Sequence, residues 1–323
     1  MIEDVLNRFA EKFNKDLERE MNALRGGTLV SAMRYAALGG GKRLRPFLLL
    51  LAGEMGGLTY DDLFPLMVGI ELVHTYSLVH DDLPCMDDDD FRRGRKSTHA
   101  VYGEAMGVLA GDALLNYAYE YMLANAVKAK NVGGYITAFS CIMVRAGYMG
   151  MLGGQSYDID EEIKSKFKRE DYINMYSGKT GALFQAALSA GAFAAGMDEE
   201  SLTSLLKCGN YFGVAFQLKD DLDDLLQDQK GVDKEEKKPC LTMLSTITEE
   251  GAREFVELNR DVAADTVKEL KNSENLFALI RFLLSFPEKK EDNQPIEEGK
   301  VKENIERKGT ETDEKNDEKK DEK

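Results

Sequence analysis

"LFPLMVGIELVHTYSLVHDD", residues 63–82, is apolar around most of its circumference when wound as a helix, and it ends on two aspartates. A stretch of that length and composition predicts a helix buried on most sides. The next residues, "LPCMDDDDFRRGRK" (83–96), bring the total to six aspartates within ten positions and follow them with four basic side chains. Like charges at contact distance repel, and exposed pairs with arginines return little of that cost. A partner from outside the chain is expected to complete the site.

Working outward, residues 1 to about 287 form a succession of helical patterns with little proline and no convincing alternating strands, so the fold class read here is all-α. "EAMGVLAGDALLNYAYEYMLANAV" (104–127) and "MYSGKTGALFQAALSAGAFAAG" (175–196) are again apolar on several faces, which suggests a helical bundle with a central layer. In "GYMGMLGGQ", Gly147, Gly150, Gly153 and Gly154 would admit another backbone or a ligand, and the pattern favours neither. From residue 288 to 323 the composition turns to charge, with two isoleucines, one valine and no aromatic residue. Such a tail cannot offset its ordering entropy and is expected to stay disordered.

A chain of 323 residues, 43% hydrophobic, can bury a large core, while a net charge of −16 argues against binding nucleic acid or an anionic membrane surface. Phosphate groups, if handled, belong in a local site. Cys85, Cys141, Cys208 and Cys240 are scattered without a CxxC pair, which suits free thiols in a reducing, cytoplasmic setting. The N-terminal "MIEDVLNRFAEKFNKDLERE" is an amphipathic charged helix rather than a leader. No apolar run is read as long enough to span a bilayer, so membrane insertion is not expected.

A second acidic cluster lies about 140 residues after the first, in "GVAFQLKDDLDD" (213–224), with Asp220, Asp221 and Asp224 in the pattern DDxxD. Asp220 and Asp224 stand one helical turn apart on one face. In the first cluster Pro84 discourages further regular helix, so Asp87 can return on a turn toward Asp81, beside Asp82, giving DDxxxxD. Carboxylates without histidine or thiolate partners suit magnesium, which keeps waters and phosphate oxygens in its shell. An acidic solvated turn or an N-cap would account for either cluster alone; two, each ending an apolar helix, weaken that account. Neither has the glycine and glutamate spacing of an EF-hand.

Basic residues supply the complement. "GGGKRLRP" (39–46) sets Lys42, Arg43 and Arg45 behind three glycines, and Arg92 and Arg93 follow the first cluster. The former is not a Walker A loop, but beside two magnesium-type clusters it reads as a separate, metal-free diphosphate site. His74, seven residues before Asp81, lies on the same helical stripe and can donate a hydrogen bond there. A lone histidine is also an ordinary core group.

In order, "GGGKRLRP", "ELVHTYSLVHDDLPCMDDDDFRRG", "LAGDALL", "GGQSYDI", "SGKTGALFQ" and "GVAFQLKDDLDD" resemble the trans-isoprenyl diphosphate synthases, and among them the bacterial farnesyl/geranylgeranyl diphosphate synthase group, over residues 1 to about 287. The resemblance implies the all-α isoprenoid synthase fold, a helical bundle around a deep central cavity, and a homodimer. It implies that Asp81, Asp82, Asp87, Asp220, Asp221 and Asp224 hold Mg2+, three ions per site, against an allylic diphosphate contacted by Arg92, Lys179 and Lys219. Lys42, Arg45, His74 and Arg93 would bind isopentenyl diphosphate, and Thr180 and Gln217 would line the reacting centre. After the second cluster the loop looks shortened: Gly231, Asp233 and Lys238 match, a Gly-Lys pair is missing, and Lys230 is the candidate replacement. The short basic C-terminus common in the family is absent.

The implied reaction lengthens dimethylallyl or geranyl diphosphate by one five-carbon unit, and product length is expected to rest on Tyr76. It lies five residues before Asp81, about 7.5 Å along a helix. The helical wheel sets Ser77 more directly beneath Asp81, so geometry leaves the floor open between the two; the resemblance favours the aromatic residue and farnesyl diphosphate. A geranylgeranyl diphosphate synthase is the alternative. A terpene cyclase would need no second diphosphate site, and a catalytically silent partner subunit would be expected to lose metal ligands.

Overall fold

A computed structural model of the chain describes residues 1–229 and 241–286. Lys230 and Lys238, and the charged tail from residue 288 onward, lie outside the described residues. Residues Met1–Ser285 form one compact unit. In chain order its helices are α1 (Ile2–Ala23), α2 (Thr28–Ala37), α3 (Leu44–Met55), α4 (Tyr60–Asp81), α5 (Thr98–Tyr102), α6 (Glu104–Asn125), α7 (Val132–Ala146), α8 (Met151–Asp158), α9 (Glu161–Lys164), α10 (Arg169–Tyr176), α11 (Ala182–Ala195), α12 (Glu199–Gln229), α13 (Glu249–Val267) and α14 (Glu274–Leu283).

Helix α1 is amphipathic: Leu6, Phe9, Phe13, Leu17 and Met21 recur at three- and four-residue steps and are buried, while the intervening charges face water. Helices α4 and α11 have no such polar face. Leu63, Leu66, Met67, Val68, Ile70, Leu72 and Val73 of α4 are all fully buried, as are Leu183, Phe184, Ala186 and Ala187 of α11. They are therefore central helices: α11 packs on α3, α7 and α12, and α4 packs on α3 and α6. Gly191 permits this density, because a Cβ there would come within 2.3 Å of the Leu49 carbonyl oxygen of α3. A reciprocal Thr59–Asp62 capping box starts α4, with the Thr59 amide donating to Asp62 at 2.9 Å.

The all-α reading holds, with strands confined among the described residues to a minimal antiparallel hairpin of β1 (Phe91–Arg92) and β2 (Arg95–Lys96). Its turn residues Arg93 and Gly94 both have positive φ, 54° and 75°, the twist that a two-residue hairpin favours. Two residues per strand are too few for alternation to be legible. One expectation is corrected: two stretches are long and apolar enough to cross a membrane, Tyr60–Asp81 and Val132–Asp158, with mean hydropathy 1.2 and 1.3. Scattered polar residues such as Glu71 masked them as continuous runs. The first is mostly buried inside the bundle; the second is mostly not, and its helix is interrupted between Ala146 and Met151.

Candidate active site

Helix α4 ends at Asp81, with Asp82 as its cap, and the chain then folds back: the Asp87 amide donates to the Asp81 carbonyl at 2.9 Å. This is the return anticipated from Pro84. Asp82 is buried and accepts from Arg92 Nε at 2.5 Å, while Asp81 accepts from Gln155 Nε2 at 2.8 Å. Burial, with Asp87 and Asp82 adding to it, pushes the Asp81 carboxyl up to about 6 against the pull of Lys179 and Arg92.

The second cluster sits toward the C-terminal end of α12. Asp221 is gripped on both oxygens, by the Tyr176 hydroxyl and by Gln217 Nε2 at 2.9 Å, and Gln217 Oε1 in turn accepts from the Thr180 hydroxyl at 2.6 Å. The Asp221 carboxyl is also pushed up to about 6, by burial first. Asp220 rises through desolvation and the neighbouring Asp224 and Asp223, with Lys42 and Lys219 opposing. Lys219 donates to Asp223 at 2.6 Å, a carboxylate outside the DDxxD set, and also draws on Asp220 within it.

Lys179 and Thr180 lie in a single turn of π-helix, Ser177–Gly181, between α10 and α11. Such turns are frequent at functional sites, because the extra residue re-aims side chains without ending the helix. Helix α8 lies against this turn so closely that a Cβ on Gly154 would fall 2.0 Å from the Lys179 amide nitrogen, which decides for Gly154 the close-approach role the sequence left open. At the end of α8, Asp158 pairs with Lys179 and, on its other oxygen, with Lys164 at 2.9 Å. Lys179 also feels Asp81 and Asp87, and Asp158 is felt by Asp87 and Asp221. Asp158 thus stands electrostatically between the two aspartate clusters, with Lys179 on the side of the first.

The glycine-rich loop builds a separate basic patch. Arg45 Nη1 lies 3.1 Å from His74 Nε2 and its guanidinium is 4.6 Å from the Phe184 ring centroid. Its Nε is buried without a hydrogen-bond partner, and desolvation lowers Arg45 to about 10. Arg93 donates to the Gly40 carbonyl, and Lys42 is exposed at the mouth of the loop. Arg43 points inward, into Glu71. His74 is pushed well below its ordinary value by burial and then by Arg45, Arg93, Arg43 and Arg92, so it is neutral at pH 7.

No three His, Cys, Asp or Glu side chains among the described residues already converge as a closed metal cage. The carboxylates are instead turned to protein partners, Asp82 to Arg92, Asp81 to Gln155 and Asp221 to Tyr176. The donor set is nonetheless all oxygen, and raised carboxyl values mark a surplus of buried negative charge. Both suit a hard divalent cation that takes part of its shell from substrate and water. Gln155 Oε1, buried and without a partner, is a further acceptor at the same place.

A family model for polyprenyl synthetase matches residues 27–276. The chain belongs to the polyprenyl synthetase family. Among curated relatives, it is 40% identical to the farnesyl diphosphate synthase of Escherichia coli over 201 residues, 62% of this chain and 67% of that protein. It is 35% identical to the geranylgeranyl diphosphate synthase of Cyanophora paradoxa over 248 residues, 76% of this chain and 78% of that protein. In structure it resembles an FPP/GFPP synthase from Zymomonas mobilis, TM-score 0.78 at 31% identity, covering 88% of this chain and all of the other. The geranyltranstransferase of Thermotoga maritima superposes with TM-score 0.71 at 31% identity, over 92% and 97% of the two chains.

In this member of the polyprenyl synthetase family three groups escaped sequence reasoning. Gln155 and Asp158 lie in "GGQSYDI", which entered only as a motif of the family resemblance with no role given to either residue, and the polar residues spaced one turn apart were the available signal. Tyr176 carries no sequence signal: its hydroxyl reaches Asp221 only because α10 crosses α12, and it also accepts the Met243 amide at 3.0 Å. Tyr76 is buried at 3% exposure with its hydroxyl unpartnered, and its ring stands edge-on to His80 at 5.8 Å. Ser77 turns back to donate to the His74 carbonyl at 2.9 Å.

Proposed function

We propose that this chain is a magnesium-dependent trans-prenyltransferase that condenses isopentenyl diphosphate with dimethylallyl and geranyl diphosphates and delivers mainly farnesyl diphosphate. The observation that carries the reading is the pairing of two acidic clusters, both of which feel Asp158, the partner of Lys179, with a basic patch in which Arg45 lies 3.1 Å from His74 and Arg93 donates to the Gly40 carbonyl. One diphosphate would sit on each. Asp81, Asp82, Asp87, Asp220, Asp221 and Asp224 would hold Mg2+, which when bound supplies charge stabilisation for the departing allylic diphosphate.

The chain's own residues do the remainder. Arg92 and Lys179 add positive charge where the leaving group gathers its electrons. Tyr176, Gln217 and Thr180 hold Asp221 in one orientation. Neutral His74 offers a ring nitrogen to the second diphosphate without adding charge, while Arg45 and Arg93 meet its oxygens. The allylic carbon–oxygen bond breaks, the isopentenyl double bond closes on that carbon, and a proton leaves the adduct for the released diphosphate. Apolar helices exclude water from the reactive cation.

The relatives named for a twenty-carbon product support the alternative reading, geranylgeranyl diphosphate synthase; the buried bulk of Tyr76 favours fifteen carbons. A silent partner subunit is disfavoured because both clusters keep every aspartate. The exposed apolar side chains of α6–α8, among them Leu109, Leu123, Val144, Tyr148 and Met149, suit a second copy of the chain, and the free thiols suit the cytoplasm. Purified protein incubated with isopentenyl and dimethylallyl diphosphates, with and without Mg2+, tests the reading by chromatography of the products. A fifteen-carbon product that vanishes with EDTA is expected; a twenty-carbon main product would replace the assignment, and no condensation at all would defeat it. Light scattering during gel filtration should give the mass of a dimer.

A further inference from the structure

Lys164 ends α9, and its side chain is only 3% exposed. A buried ammonium is costly unless paired, and this one donates twice to a single residue, to the Asp158 carbonyl at 2.7 Å and to its Oδ1 at 2.9 Å. The remaining oxygen of Asp158, Oδ2, accepts from Lys179. Two ammonium groups therefore share one carboxylate, and one of them is the lysine of the π turn that also faces Asp81 and Asp87. Burial pushes Asp158 up, but Lys179 and Lys164 together bring it below the ordinary carboxylate range, so the shared group is anionic.

We propose that Lys164 is a positioning residue for the allylic diphosphate: by holding and half-neutralising Asp158, it sets how readily the Lys179 ammonium turns from that carboxylate to an incoming phosphate. The inference rests on the reading that Lys179 meets the allylic diphosphate. Its physical content is a competition. Lys179 must give up its bond to Asp158 to meet a phosphate oxygen, and that departure would strand a buried carboxylate if Lys179 were its only cation. Lys164 remains behind as the second partner, so Lys179 moves without leaving Asp158 uncompensated. Without it, Asp158 keeps Lys179 as its one remaining ammonium partner among the described residues, and the diphosphate loses a donor.

The test is a set of variants assayed with geranyl diphosphate and isopentenyl diphosphate, with direct titration of the unreactive geranyl thiolodiphosphate beside it. K164M should raise KM and Kd for the allylic compound about ten-fold, the worth of one charge-assisted hydrogen bond, and leave the isopentenyl KM within about two-fold. K164R should restore most of the loss, and K164Q should not. In a K179A background K164M should have no further effect on allylic binding. Equal losses for both substrates, an undiminished effect of K164M in the K179A background, or an unchanged allylic KM in K164M and K164Q would each overturn the proposal. Should K164M fail to fold, the contrast between K164Q and K164R carries the same test. If K179A itself leaves allylic binding intact, the assignment of the diphosphate site fails instead, and the two failures are distinguishable.

Discussion

Arg43 Nη1 donates to Glu71 Oε1 at 2.5 Å, with both side chains closed off from solvent at 2% and 3% exposure. The same guanidinium bonds Asn14 of α1 at 2.8 Å and the Ala37 carbonyl at 2.9 Å, and Arg43 takes a left-handed backbone, φ 52°, to reach them. One buried cation therefore locks α1, α2 and α4 around the loop on which the neighbouring Lys42 stays exposed. Removing one partner of a buried pair leaves an uncompensated charge and costs about 3–5 kcal/mol. Glu71→Ala should lose that much stability in urea unfolding, and Glu71→Gln, which keeps an acceptor for Arg43, clearly less. An E71A midpoint equal to wild type would show the pair to be dispensable.

The aspartate clusters should behave oppositely. Asp81 titrates near 6 in the fold against 3.8 when unperturbed, so its ionised form is disfavoured by folding. The destabilisation grows as pH rises from about 4 to about 6 and is constant above that. Asp81→Asn removes the charge and keeps an acceptor for Gln155. In metal-free protein at pH 7 its melting temperature should be no lower than wild type, while turnover should fall by at least about two orders of magnitude. Concordant losses of stability and activity would mean that Asp81 serves the fold rather than the chemistry.

The sequence disclosed this site unevenly, and the reasons are physical. Asp81, Asp82 and Asp87 were legible because six acids in ten residues have no structural use of their own, and Pro84 announced the turn that the Asp87–Asp81 backbone bond completes. Helices α4 and α11 were legible as central because they lack a polar face. Tyr176 and Lys164 were not, since a tyrosine or a lysine acquires its meaning only from the helix that crosses it. The hairpin at residues 91–96 was too short for periodicity to register.

His74 gives the pH dependence of the basic patch. Its folded value lies well below 6.5, so between pH 6.5 and that lower value the unfolded chain binds a proton that the native protein refuses. Stability must then fall as pH drops below 6.5, by at most about 1.4 kcal/mol per pH unit from this one group. His74→Gln, neutral at every pH, should flatten the stability profile between pH 6.5 and 5 by close to one proton. An unchanged slope in H74Q would mean that His74 takes up its proton inside the fold despite the surrounding arginines.

Tyr76 separates size from chemistry in the product question. Its hydroxyl is buried without a partner and its ring stands against His80, whose Nε2 lies 3.1 Å from the Val108 carbonyl of α6, so the side chain fills space between α4 and α6. An unpaired buried hydroxyl contributes nothing that phenylalanine would lose. Tyr76→Phe should therefore match or exceed wild-type stability and keep the fifteen-carbon product. Tyr76→Ala removes the bulk as well and should cost about 3–5 kcal/mol, part of it the cavity left behind. If that cavity stays open to the growing chain, the product shifts toward twenty carbons or more, while the first condensation, which does not reach this depth, keeps its rate. A folded Y76A with an unlengthened product profile would remove Tyr76 as the floor, and a lengthened profile in Y76F would show that the hydroxyl, not the ring, sets the stop.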